Sequence, residues 1–129
     1  MNKISILDGA IGSELILKGE ILPSHIWSAK INLSNPDLLL DIHKDYIKAG
    51  SDYITTNTFR TTTRAYLKTG LSKNKARDKA LHSLSSALEM AHKARESTEV
   101  KILGSIAPLE DCYSPKNYPG DRIHKRYVL

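Results

Sequence analysis

Two hydrophobic rhythms alternate along this chain. Ile4, Ile6 and Leu7 make a short apolar run closed by Asp8-Gly9-Ala10, which predicts a buried strand over 4–7 that delivers an acid into a glycine turn. Apolar residues at 11, 15 and 16 predict a short helix over 11–17, stopped by Gly19, and a loop with Pro23 and Trp27 follows. Asn35-Pro36-Asp37 then combines a cap residue, a proline suited to the first helical position and an acid favourable to the helix dipole. Behind it Leu39, Ile42, Tyr46 and Ile47 recur at helical spacing, and Gly50 closes the helix. Residues 52–56 are β-branched and aromatic, a second strand running out into Asn57-Thr58-Phe59.

Ser72 predicts the cap of a long helix over 73–97, with Ala76, Ala80, Leu84, Ala87, Leu88, Ala91 and Ala94 on its packing face. So much alanine implies close approach of whatever packs there. Residues 100–106 predict a third strand, Pro108 and Glu110-Asp111 a loop beyond it, and 121–129 the start of another helix. Strand, helix, strand, helix, strand favours parallel strands joined by right-handed crossovers. Polar, glycine-bearing sequence gathers after each strand, at 8–14, 57–59 and 105–112, and the carboxyl edge of such a sheet is where ligands bind.

The 129 residues suit one domain, 1–129, with a single core. No stretch approaches the ~18 apolar residues of a membrane span, and the amino-terminal apolar run is too short for a secretory signal, so a cytoplasmic location is expected. The formal net charge of +5 raises the question of an anionic partner. Its distribution answers against nucleic acid: the excess lies between 60 and 106, with ten basic and four acidic residues, including Arg60, Arg64 and Lys68, spread through helical sequence and lacking the set of aromatics that would stack on bases. A solvated helix face is the simpler reading. The single cysteine, Cys112, cannot form an internal disulfide, and even with His124 it makes a poor metal site. His43 falls on a helical apolar stripe and is expected to be a hydrogen-bonded packing residue.

The segments Asp8-Gly9-Ala10-Ile11-Gly12-Ser13-Glu14-Leu15, Trp27-Ser28-Ala29, His43 to Gly50, Thr55-Thr56-Asn57-Thr58-Phe59 and Gly104-Ser105-Ile106-Ala107-Pro108 together resemble the homocysteine S-methyltransferase family, in order and in spacing. The resemblance runs from about Ile4 to Tyr118. It implies an α/β fold, the amino-terminal part, about three βα units, of a (β/α)8 TIM barrel of ~250 residues. It also implies an activity, transfer of a methyl group to the zinc-activated thiol of homocysteine to give methionine. The donor it implies is S-methylmethionine or S-adenosylmethionine foremost. In the family the Zn2+ is held by three cysteines from later strands, and this chain has none of them, so inactivity alone is expected.

By the same resemblance Asp8 faces the ammonium of homocysteine while the amides of Gly9 and Ala10 face its carboxylate; the plain alternative is a turn-forming Asp-Gly. Glu14 belongs to the motif, yet an early-turn acid also stabilises a helix. Asn57 and Thr58 are expected to contact substrate, and Thr55 to serve the strand. Trp27 is divided between pocket rim and core. No catalytic and no metal-ligating residue is assigned in this chain. The competing reading is a non-catalytic binding or assembly module that completes its barrel with another chain, and open strand edges predict self-association.

Overall fold

The computed structural model describes residues 4–123. Helices α1 (Ile11–Leu17), α2 (Ile31–Ser34), α3 (Pro36–Lys48), α4 (Thr63–Leu67) and α5 (Lys73–Arg95) accompany two strands, β1 (Tyr53–Thr55) and β2 (Lys101–Leu103), and α3 and α5 pack on them. The strands pair in parallel with Tyr53 opposite Lys101 and Thr55 opposite Leu103. On the other side of β1, Leu7 makes a parallel bridge to Tyr53. The lateral order is therefore Leu7, β1, β2, with α3 in the first connection and α4 and α5 in the second.

α3 begins as its sequence predicts. The Leu38 N–H donates to the Asn35 side-chain oxygen at 3.2 Å, Pro36 occupies the first turn, and Gly50 takes a φ of +103° just past the end. Leu39 and Ile42 meet Leu15, Ile31 and Met90 in one core cluster; Ile54, Ala91 and Ala94 form a second under the sheet. The alanine face of α5 allows α3 and β1 to come this close.

Several expectations are corrected. Residues 4–7 are not a buried strand: only Leu7 bridges, and Ile4, Ile6 and Leu7 are 87%, 55% and 56% exposed. Their one sheet neighbour is β1, and among the described residues nothing covers their other side. The third strand shrinks from 100–106 to Lys101–Leu103. On α5 the buried stripe runs through Ser83 and Met90, whereas Leu88 is 38% exposed; alternation of three- and four-residue steps from Ala76 selects 83 and 90. The Ser72 side chain makes no capping bond. Trp27–Lys30 is a 3-10 turn leading into α2, and α4 is a separate short helix within the basic stretch read as a helix face; α4 is capped by Thr62, which accepts from Ala65 N–H at 3.2 Å. The expected helix over 121–129 lies largely outside the described residues, as does His124.

Candidate substrate cleft at the carboxyl edge of the sheet

The three segments that follow Leu7, β1 and β2 converge on one open cleft of about 730 Å³. Asp8, Gly9, Ala10 and Gly12 line it from the first segment, Thr55, Thr56, Asn57 and Phe59 from the second, and Ser105, Cys112 and Tyr113 from the third. Trp27 and Ser28 close a further side.

Asp8 is anchored at both ends. Its N–H donates to the Tyr53 carbonyl at 3.0 Å, extending the bridge. Its carboxylate accepts from the Thr55 N–H at 2.7 Å and the Thr55 hydroxyl at 2.9 Å. Thr55, expected to serve the strand alone, thus aims the acid. A carboxylate has about four lone-pair sites, so these two bonds leave acceptor capacity for a ligand cation.

The loop after Asp8 is packed from two sides. A methyl group at Gly9 would stand 2.7 Å from the Tyr46 hydroxyl and 3.0 Å from its ring, and one at Gly12 would stand 2.7 Å from the Trp27 indole nitrogen. The Tyr46 hydroxyl donates to the Ala10 carbonyl at 3.3 Å. Burial, then the carboxylates of Glu14 and Asp8, push the Tyr46 phenol above its ordinary range, which keeps it a donor. Trp27, 44% exposed, lines the cleft on a backbone with a φ of +45°, an uncommon conformation for a bulky residue. Glu14 is half-buried in α1 and is not among the residues lining the cleft.

Asn57 and Thr58 are buried and already engaged. The Asn57 amide donates to the Ser28 carbonyl at 2.9 Å and to the Asn32 side-chain oxygen at 2.7 Å, while its own side-chain oxygen accepts from the Ser28 hydroxyl at 2.7 Å. The Asn32 amide donates in turn to the Asn57 carbonyl at 3.0 Å and to Ser83 at 2.9 Å. Thr58 donates to the Ser105 carbonyl at 2.7 Å, accepts from the Ser105 N–H at 3.2 Å, and meets the Thr56 hydroxyl at 2.8 Å. Sequence reasoning missed Ser28, Asn32 and Ser83 as parts of this frame. The available signal was polar residues on otherwise apolar helical faces.

The basic residues 60, 64 and 68 are not a merely solvated face. Arg64 and Lys68 both pair with Glu110, and Arg60 lies 3.6 Å from Asp111 and 5.4 Å over the Phe59 ring. The two cations hold the Glu110 carboxyl below the usual carboxylate range. This clasp ties the loop bearing Cys112 and Tyr113 to α4. His43 is fully buried, as a packing residue should be, but neither ring nitrogen has a hydrogen-bond partner; burial lowers its pKa, against the opposing pull of Asp8. It shares the buried face of α3 with Leu39 and Ile42.

Among the described residues no three His, Cys, Asp or Glu side chains gather where they could hold a metal ion, and Cys112 is exposed. These residues do not fit the zinc that the resemblance implies. No helix among them is long and apolar enough to cross a membrane.

Residues 5–128 match the family model described as homocysteine S-methyltransferase. The chain belongs to this family. It is 37% identical to the homocysteine S-methyltransferase of Escherichia coli (strain K12) over 113 residues, covering 81% of this chain and 35% of that protein. With the selenocysteine Se-methyltransferase of Brassica oleracea var. italica it shares 31% identity over 103 residues, covering 77% and 30%. Its backbone superposes on the metallated form of the Escherichia coli homocysteine methyltransferase MmuM with a TM-score of 0.77 and 26% identity, over 98% of this chain and 49% of that one. The chain thus spans about a third of the length of its curated homocysteine S-methyltransferase relatives.

Proposed function

We propose that the intact protein methylates the sulfur of homocysteine and that residues 1–129 are the amino-terminal portion of its homocysteine-binding (β/α)8 barrel, supplying the end of the cleft that holds the amino-acid group. The observation that carries this reading is Asp8, fixed by Thr55 at the head of a glycine loop in the cleft where the segments after Leu7, β1 and β2 meet. A fixed carboxylate suits the substrate ammonium. The Gly9 and Ala10 N–H groups meet no acceptor among the described residues, and they suit its carboxylate. Asn57 and Thr58 serve the substrate as the frame of the cleft, through the bonds they make to Ser28, Asn32 and Ser105. Glu14 acts on the same loop from α1.

In the reaction the homocysteine thiol gives up its proton, its sulfur attacks the donor's methyl carbon, and the bond from that carbon to the donor's sulfonium sulfur breaks to release a neutral thioether. S-methylmethionine and S-adenosylmethionine both fit that description. This chain's part is to orient the nucleophile; because its described residues offer no zinc site, it is expected to form no methionine by itself.

Calorimetric titration of the 129-residue chain with L-homocysteine tests the reading. Binding is expected, weakened at least tenfold in Asp8→Asn, with no methionine formed when S-methylmethionine and zinc are added. Equal affinity in the variant, or turnover by the chain alone, overturns it.

A further inference from the structure

The segment proposed to receive substrate has no regular hydrogen-bonded structure of its own between Leu7 and α1, so something else must fix its shape. Asp8 is tied to β1 and Thr55 at one end, and α1 begins at the other. Between them stands Tyr46 of α3, 36 residues away in sequence. Its ring occupies the space a side chain at Gly9 would need, and its hydroxyl donates to the Ala10 carbonyl, which also accepts from the Glu14 N–H at 3.3 Å. Tyr46 thus touches two consecutive loop residues by different means, one steric and one polar.

We propose that Tyr46 is a positioning residue for the substrate: its phenol ring, packed against Gly9 and donating to Ala10, holds the Asp8-Gly9-Ala10 loop in the conformation that receives the amino-acid end of homocysteine. This rests on the substrate reading above. Gly9 is glycine because the ring lies against it, and the ring lies there because α3 is locked by its core face. A loop pinned before the ligand arrives loses less entropy on binding. The geometry divides the labour: the ring sets the loop's height above α3, and the hydroxyl sets the rotation of the Ala10 peptide.

Homocysteine affinity and amide hydrogen exchange are measured in the full chain for Tyr46→Phe, Tyr46→Ala, Gly9→Ala and the double variant Gly9→Ala/Tyr46→Ala. Tyr46→Phe keeps the ring and is expected to bind within about fivefold of the parent, the loss of one neutral hydrogen bond. Tyr46→Ala is expected to bind at least tenfold more weakly. In it the Asp8 and Glu14 amides, which flank the loop and are hydrogen-bonded, exchange faster, while the Ile54 and Leu39 amides are unchanged. Gly9→Ala should weaken binding comparably, and the double variant by no more than either single one, because the added methyl enters the space the ring leaves.

Parent affinity together with parent exchange rates in Tyr46→Ala, or strictly additive losses in the double variant, overturns the proposal. A parent chain that does not bind homocysteine defeats the substrate reading alone; the exchange rates then decide whether Tyr46 holds the loop. Should Tyr46→Ala lose protection at Ile54 and Leu39 as well, Gly9→Ala probes the same contact from the exposed side, where no core is disturbed.

Discussion

Asn57 donates twice and accepts through both of its oxygens inside the protein, so its replacement leaves several buried groups without partners. Asn57→Ala is expected to cost about 3 kcal/mol in urea unfolding, and Asn57→Asp a similar amount, since it removes the two donated bonds. A role confined to substrate contact would leave stability unchanged. His43 presents the opposite case, a buried ring with nothing to bond. Its pKa is lowered in the folded state from 6.5, so below that value the unfolded chain binds the extra proton more readily. Stability is expected to be flat in this group above pH 6.5 and to fall as pH drops toward the folded-state value. His43→Gln should flatten that slope in pH-dependent thermal unfolding, and an unchanged slope would remove His43 as its source.

At the scale of elements, α3 is the keel: its cap and core face fix the helix, and Tyr46 carries it to the Gly9-Ala10 loop of the cleft. Leu39→Ala is expected to cost 2–5 kcal/mol by cavity formation, and Asn35→Ala about 1 kcal/mol through the lost cap, both read from denaturant midpoints. α3 was legible because cap, proline, apolar period and closing glycine are local signals that agree. The 3-10 turn at Trp27–Lys30, α2 and the bounds of α4 were not, since elements of four or five residues are too short to display a period. Residues 4–7 misled for another reason: an apolar run states a preference for burial, and only the neighbours decide whether burial happens. The clasp of Arg64 and Lys68 on Glu110 was invisible because its partners lie more than forty residues apart. It is expected to loosen as pH falls below 4.5, the ordinary value from which the Glu110 pKa is lowered, and in high salt. Increased peptic cleavage beside Tyr113 at acid pH, and increased chymotryptic cleavage there in high salt, check this.

For the molecule as a whole, the family was legible, and so was the edge at which the segments after Leu7, β1 and β2 converge on a cleft, while the division of roles within that edge was not. Asp8, Gly9 and Asn57 all stood out as motif letters; only coordinates separate an acid facing a cleft from an amide consumed by its own frame. The open flanks of Leu7 and β2, with Ile4, Ile6, Leu103 and Ile106 exposed, make concentration-dependent self-association the expected behaviour of the isolated chain. Sedimentation velocity across a hundredfold concentration range measures it, and a monomer throughout would contradict it. The ties that build the cleft share one more property. Asp8 reaches Thr55 across 47 residues, and Thr58 reaches Ser105 across 47. Each spans one complete strand-to-strand crossover, so neither can close until a helix has docked between its ends. The cleft is therefore a late event in the life of the chain: in a refolding time course, helical signal should rise first, and capacity to bind ligand only after both crossovers have shut.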